Sequence, residues 1–363
     1  MNPPGLPAVL MRGGTSKGVF VHTRDVPPAG PERDAVVLAV MGSPDPMQID
    51  GLGGTYSSTS KLVVVEPGVD GDDVTYWFAQ VGVDRPVVDW SGNCGNLTSA
   101  VGPFAIDEGL VEAVEPVTTV RLRNGNTGVA ITAEVQVRDG RARYDGEHVV
   151  PGVPRPGAPV VTRYLDPGGS VFGTALPTGG PTAVVPGPHG DVEVSVVDVA
   201  HPMAFVPAKA LGVTVADASP PELNRDPELL RRLEWMRGAC AVALGRVDDP
   251  QDAAERSAIV PRLVLLGEPV DDGHDIAAVG VSMGAVHHAL PMTAALCLGA
   301  AVRLPGTVAA GTARPVADET VRIRHPKGVV DVLADVASDS TVRSVGAVRT
   351  ARRLMSGTVH LPG

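Results

Sequence analysis

Ser91-Gly92-Asn93-Cys94-Gly95-Asn96 runs without a charged side chain into Leu97-Thr98-Ser99-Ala100-Val101-Gly102-Pro103-Phe104-Ala105. Leu97, Ala100, Val101, Phe104 and Ala105 place apolar residues on most sides of a helix, the pattern of a helix enclosed by other elements rather than resting on a surface. A buried helix is therefore expected over Leu97 to Leu110. The same organisation returns later. A strand over Ile276 to Met283 feeds His287-His288-Ala289-Leu290-Pro291-Met292-Thr293, and the apolar stretch Ala294 to Arg303 follows. In each half a strand leads to a turn of small residues, and the turn opens a buried helix. Two pseudo-equivalent domains facing each other are the expectation, with the cleft between the helix N-termini suited to an anion.

Around these helices the chain reads as short strands. Gly 43 and Pro 34 among 363 residues demand frequent turns, and the segments between them are rich in valine. That combination favours strands over long helices, so the fold class is α+β with β structure dominant. Expected strands include Leu6 to Met11 and Lys17 to His22 as a hairpin, Leu62 to Glu66, Val74 to Gln80, two within Val117 to Val137, Val192 to Val199, Ala204 to Pro207, and Leu263 to Leu266. Arg33 to Met41 reads as a short helix. Asp226-Pro227 opens an amphipathic helix, with Asp as N-cap and Pro at the first helical position. The Pro/Gly-rich region Pro151 to Pro188 marks the domain boundary near its end, giving domains over 1–186 and 187–345.

Composition excludes several classes. Apolar residues make up 44% and charged residues 20%, which suits a globular chain of two domains. Aromatics are 3% and the net charge is −11, so there is little to stack bases and a net repulsion for phosphate. Nucleic acid is not an expected partner. Neither a signal peptide at Met1 to Leu10 nor a membrane span is legible, so a cytoplasmic protein is expected. Cys94, Cys240 and Cys297 are far apart with no CxxC spacing, and read as thiols rather than disulfides or zinc ligands.

Four places could carry chemistry. Cys94 starts a helix, where free amides and the helix dipole favour a thiolate or a bound carboxylate; a small buried residue in a tight turn satisfies the same pattern. Lys61 is one of only four lysines among 30 basic residues, and it ends the run Gly53-Gly54-Thr55-Tyr56-Ser57-Ser58-Thr59-Ser60 with no acidic residue nearer than Glu66. A partly desolvated lysine loses basicity and can serve as a base, though an ordinary lysine at a strand start fits too. Arg12 and Lys17 flank Gly13-Gly14-Thr15-Ser16, which could hold a carboxylate through guanidinium, hydroxyls and amides, or be a solvated turn. His287 and His288 diverge in extended structure and have no further ligands nearby, so no metal site is expected. One of them could donate a hydrogen bond to substrate or to a backbone carbonyl. Gly51-Leu52-Gly53-Gly54 lacks the spacing of a dinucleotide fingerprint, and Gly14-Thr15-Ser16-Lys17 lacks that of a P-loop.

Met11 to Val19 (MRGGTSKGV), Gln48 to Lys61 (QIDGLGGTYSSTSK), Ser91 to Leu97 (SGNCGNL), Gly102 to Ala105 (GPFA) and His287 to Pro291 (HHALP) together resemble the 2-methylaconitate cis-trans isomerase (PrpF-type) family. Leu165 to Ser170, Leu176 to Gly179 and Arg349 to Leu354 extend the likeness over nearly the whole chain. The resemblance implies a diaminopimelate-epimerase-like fold, each domain a curved, mostly antiparallel sheet around a central helix, with the active site between the domains and residues 346–363 returning to the first. It implies isomerisation of unsaturated di- or tricarboxylates without metal or other cofactor, with Lys61 as base and Cys94 as the second catalytic candidate. Substrate carboxylates would be held by Arg12, Gly13, Gly14, Thr15, Ser16, Lys17, Ser60, Asn93, Gly95, Asn96, His287, Met292 and Thr293. Diaminopimelate epimerases carry a second cysteine where Pro291 stands here, so a two-thiol mechanism is not expected. A 4-oxalomesaconate-type keto-enol tautomerase and a non-catalytic polycarboxylate-binding protein are the competing readings, and a homodimer is the default assembly.

Overall fold

The computed structural model describes residues 5–216, 218–282 and 284–362. Met283, the expected end of one strand, and Gly363 lie outside them. The chain divides into a first unit, Met1–Arg163 with Val348–Gly363, and a second, Tyr164–Ala347.

In the first unit, β1 (Gly5–Gly13) and β2 (Ser16–His22) form the expected hairpin. After α1 (Pro31–Met41), β3 (Lys61–Pro67) runs parallel to β2, and β4 (Val74–Val81) returns antiparallel. The two-residue β5 (Val88–Asp89) precedes α2 (Gly95–Asp107), after which β6 (Val117–Asn124) lies parallel to β4. Then β7 (Ala130–Arg138) pairs antiparallel with β6 and with the short β8 (Arg141–Ala142). Along β7 buried and half-buried residues alternate strictly, because one face meets the helix and the other does not. Leu62 to Val65 of β3 are buried without alternation: α1 covers one face with Val37, Val40 and Met41 packed on Leu62 and Val64.

Every residue of α2 from Leu97 to Ile106 is buried, against β1, β2, β6, β7 and β8. The helix stops short of the expected Leu110 because Gly109 adopts a left-handed backbone, φ +71°, and the Leu110 amide turns back to the Ala105 carbonyl.

Within the Pro/Gly-rich region, where only a boundary was expected, lie β9 (Pro159–Leu165) and β10 (Ala183–Gly187). The second unit then continues through β11 (Gly190–Val199) and β12 (His201–Pro207), the short α3 (Pro220–Leu223), and α4 (Pro227–Ala243). Asp226 caps α4 as expected, its carboxylate accepting from the amides of Glu228 and Leu229. The one-turn α5 (Ala253–Arg256), β13 (Arg262–Gly267), β14 (Ile276–Ser282), the two-residue β15 (Ala285–Val286) and α6 (Met292–Arg303) follow. Last come α7 (Val308–Thr312), β16 (Thr320–His325), β17 (Gly328–Val336) and β18 (Val342–His360). From Ala351 to His360, β18 is antiparallel to β1.

The two units repeat one pairing scheme. Antiparallel, parallel, antiparallel, parallel, antiparallel describes β1-β2-β3-β4-β6-β7. It also describes β11-β12-β13-β14-β16-β17. The central helix enters each time after a two-residue strand paired with the fourth, and from Ala294 to Val302 α6 is as buried as α2. A tight helix-to-sheet approach also recurs at the eighth helical residue. A Cβ on Gly102 would fall 2.9 Å from Val135 of β7, and one on Gly299 would fall 2.6 Å from Val332 of β17.

Candidate active site

In the first unit the β1-β2 turn lies on the N-terminus of α2. A side chain at Gly13 would begin 2.3 Å from the Asn96 carbonyl oxygen, and Gly14 combines φ +49° with similar crowding, so both positions require glycine. From the helix side, Asn96 Nδ2 donates to Thr15 Oγ1 at 3.0 Å and lies 3.5 Å from Ser16 Oγ. Cys94 is the N-cap in extended backbone, half-buried, with Sγ 4.0 Å from the buried Ser16 hydroxyl. The amides of Gly95 and Asn96, at the first two helical positions, have no acceptor among the described residues and carry the positive end of the helix dipole.

Asn93 faces inward. Its Oδ1 accepts from Tyr76 Oη, Thr98 Oγ1, Asn124 Nδ2 and the Cys94 amide, at 2.8 to 3.1 Å. This cluster sets the angle at which Cys94 leaves the turn. Arg12 is similarly engaged: Nη1 donates to the carbonyls of Gly14 and Thr350 and to Thr350 Oγ1, which fastens the turn to the C-terminal strand. Burial, and then the charge of Arg352, lower the Arg12 pKa from its ordinary value.

Lys61 opens β3 at the same corner. The Lys17 amide donates to the Ser58 carbonyl at 3.0 Å, tying β2 to the loop before Lys61. Ser60 is fully buried, and its hydroxyl accepts from Gln48 Nε2 at 2.7 Å. Lys61 itself is 7% exposed, with Nζ 4.9 Å above the centre of the Phe78 ring and donating to Gln80 Oε1. Among the described residues no carboxylate lies within ion-pair distance of it. Thus Lys61, Cys94, Thr15, Ser16, Asn96 and the glycine turn do share one corner, whereas Asn93 and Arg12 support it from behind.

The second unit has its own corner where α6 starts. Pro291 is the N-cap, matching Cys94 by position, and brings no thiol. Met292 and Thr293 are half-buried at the first two helical positions. The His287 amide continues the β14 ladder to the Gly280 carbonyl at 2.9 Å. Just before it, Asn224 clamps Val286, donating to its carbonyl at 2.9 Å and accepting from its amide at 2.8 Å.

Sequence reasoning missed Arg262, which opens β13 as Lys61 opens β3. Its Nε is buried with no hydrogen-bond partner among the described residues, and burial lowers its pKa. The pKa of His287 is lowered by burial, then by His288 and Arg262. His201 is held down mainly by burial, opposed by its bond to the Ile259 carbonyl and assisted by Arg262. A guanidinium with an unpartnered buried Nε beside two histidines of lowered basicity is suited to a carboxylate. Superimposing the two halves on their strand order would have found it, since Pro261-Arg262-Leu263 stands where Ser60-Lys61-Leu62 does. Among the described residues no three His, Cys, Asp or Glu side chains gather to hold a metal, and no helix is long and apolar enough to cross a membrane.

Two runs of six strands with one pairing order, each carrying a buried helix that follows a two-residue strand, define a diaminopimelate-epimerase-like α+β protein. Comparison with known proteins narrows the class. The PrpF protein family matches residues 5–362. The 3-methylitaconate isomerase of Eubacterium barkeri is 41% identical over 98% of this chain and 97% of its own. The 2-methyl-aconitate isomerase of Shewanella oneidensis is 38% identical over 98% and 96%. A crystal structure of methylitaconate-delta-isomerase superposes with a TM-score of 0.94 at 40% identity, covering 99% of this chain and 96% of that one. The chain belongs to the PrpF family.

Proposed function

We propose that this protein is an isomerase that moves a proton on a small unsaturated di- or tricarboxylate of the 2-methylaconitate or methylitaconate kind, with Lys61 as the base and no cofactor. The observation that carries this reading is Lys61 itself: a buried amine with a neutral acceptor, no counter-ion among the described residues, and a helix N-terminus at the same corner. The named activities of the relatives point the same way.

In this reading the neutral amine removes a proton from the carbon allylic to the carboxylate-bearing double bond. The electrons delocalise into a dienolate, the former double bond can rotate or shift, and the ammonium returns the proton. Gly95 and Asn96 amides, Thr15 and Ser16 would hold a substrate carboxylate and take up the developing charge. Cys94, as cap of the same helix, contributes shape and a thiol to that pocket. Arg262, His287, Met292 and Thr293 would bind carboxylate in the second unit.

Proton NMR in deuterated water, with cis- and trans-aconitate, methylaconitate, methylitaconate and oxalomesaconate, tests the reading. Solvent deuterium should enter one substrate and fail to enter it with Lys61→Ala. Exchange confined to oxalomesaconate would make the protein a keto-enol tautomerase, and calorimetric binding without exchange a polycarboxylate-binding protein. The reading also takes the protein as a cytoplasmic homodimer, and light scattering checks the dimer.

A further inference from the structure

We infer that Gln80 is a positioning residue for the base: it aims the Lys61 amine while withholding a counter-charge. The inference rests on Lys61 being the base. Gln80 lies directly across from Lys61 in the β3-β4 ladder. Its amide uses both ends on the same short stretch of chain. Oε1 accepts from Lys61 Nζ, while Nε2 donates to the carbonyls of Ser57 and Ser60 at 3.1 and 3.0 Å. The amide is thereby locked in one orientation, since reversing it would set Nε2 against the ammonium and Oε1 against two carbonyls.

The choice of side chain matters chemically. Glutamate would reach as far and accept as well, but its charge would hold the lysine protonated, and it could not donate to Ser57 and Ser60. A neutral acceptor serves an amine that must alternate between neutral and charged forms. Beyond Lys61, the titratable groups on the elements around this corner are Lys17 and His22 on β2, Glu66 on β3, Tyr76 on β4, Asp89 on β5, and Cys94 at the start and Asp107 at the end of α2. Asp89 is opposite Gln80 in the β4-β5 ladder, but its Oδ1 is occupied by the amide and hydroxyl of Ser91, at 2.8 and 2.6 Å. Thus the carboxylate nearest by register is engaged away from the amine.

The test compares wild type, Lys61→Ala, Gln80→Leu and Gln80→Glu in steady-state kinetics from pH 6 to 10, with thermal melting to confirm folding. Gln80→Leu should lower kcat roughly 10- to 100-fold with KM nearly unchanged, the cost of a misaimed base. Gln80→Glu should be impaired at pH 7 and recover at alkaline pH. A carboxylate beside the amine raises its basicity by about one to three units, so the acid limb of the rate profile moves up by that amount. Equal losses at every pH in both Gln80 variants, or a rise in KM, would make Gln80 mere support for the loop and overturn the inference. So would wild-type kcat in both variants while Lys61→Ala is inactive. An active Lys61→Ala would instead remove the base assignment and this inference with it.

Discussion

The third core strand of the first unit opens with Lys61 and that of the second with Arg262, on sheets that share one pairing order. A lysine amine is able to serve as a base, and an arginine guanidinium is not. At the neighbouring helix N-termini the contrast repeats: Cys94 caps α2, and Pro291 caps α6. One scaffold used twice thus presents an amine at one corner, the proposed base, and a guanidinium at the other. The lesson is that equivalence of backbone does not imply equivalence of chemistry.

The sharpest way to break this contrast is Lys61→Ala, expected to lower kcat by about 100- to 10,000-fold, the range for losing a positioned base. Lys61→Arg should be no better, because it keeps the charge and loses the base; stopped assays on both would show it. The shared scaffold is tested by Gly102→Ala and Gly299→Ala. Each forces a methyl into a valine on the facing strand, and each should cost about 1–3 kcal/mol of stability by denaturant unfolding. A loss at only one of them would deny the packing equivalence.

Arg262→Gln should raise KM roughly tenfold and leave kcat within a few-fold, as expected when a charge contacts substrate carboxylate equally in ground and transition states. The smallest effect concerns the histidines. Removing the Arg262 charge should raise the titration midpoints of His287 and His201, read by NMR, because that charge opposes their protonation. In the wild type both titrate below 6.5, so at high pH they are neutral folded or unfolded. As pH falls through 6.5 the unfolded chain takes up protons first and stability declines. Arg262→Gln should soften that decline.

Much of the fold was legible because it depends on local pattern. The apolar run after Cys94 and that after Pro291 could be stable only as enclosed helices, and Asp226-Pro227 announced its helix by capping chemistry alone. The strands β9 and β10 were hidden in a Pro/Gly-rich region, where turn signals outweighed the short alternation of Pro159 to Leu165. Of the candidate site, Lys61, Cys94 and the glycine turn stood out as residue types in suggestive surroundings. The inward engagement of Asn93 and Arg12 did not, because their partners Tyr76, Asn124 and Thr350 are remote in sequence.

By itself the sequence determined the α+β class, the two central helices and the family, and singled out the proposed reactive corner, all of which rest on short-range periodicity or contiguous motifs. Only the tertiary structure decided which side chains meet. Gln80 reaches Lys61 because β3 and β4 pair in one register, and Arg262 takes the place of Lys61 because two sheets share an order of strands. Register and strand order are set by long-range hydrogen bonding and packing, and no local run of residues encodes them.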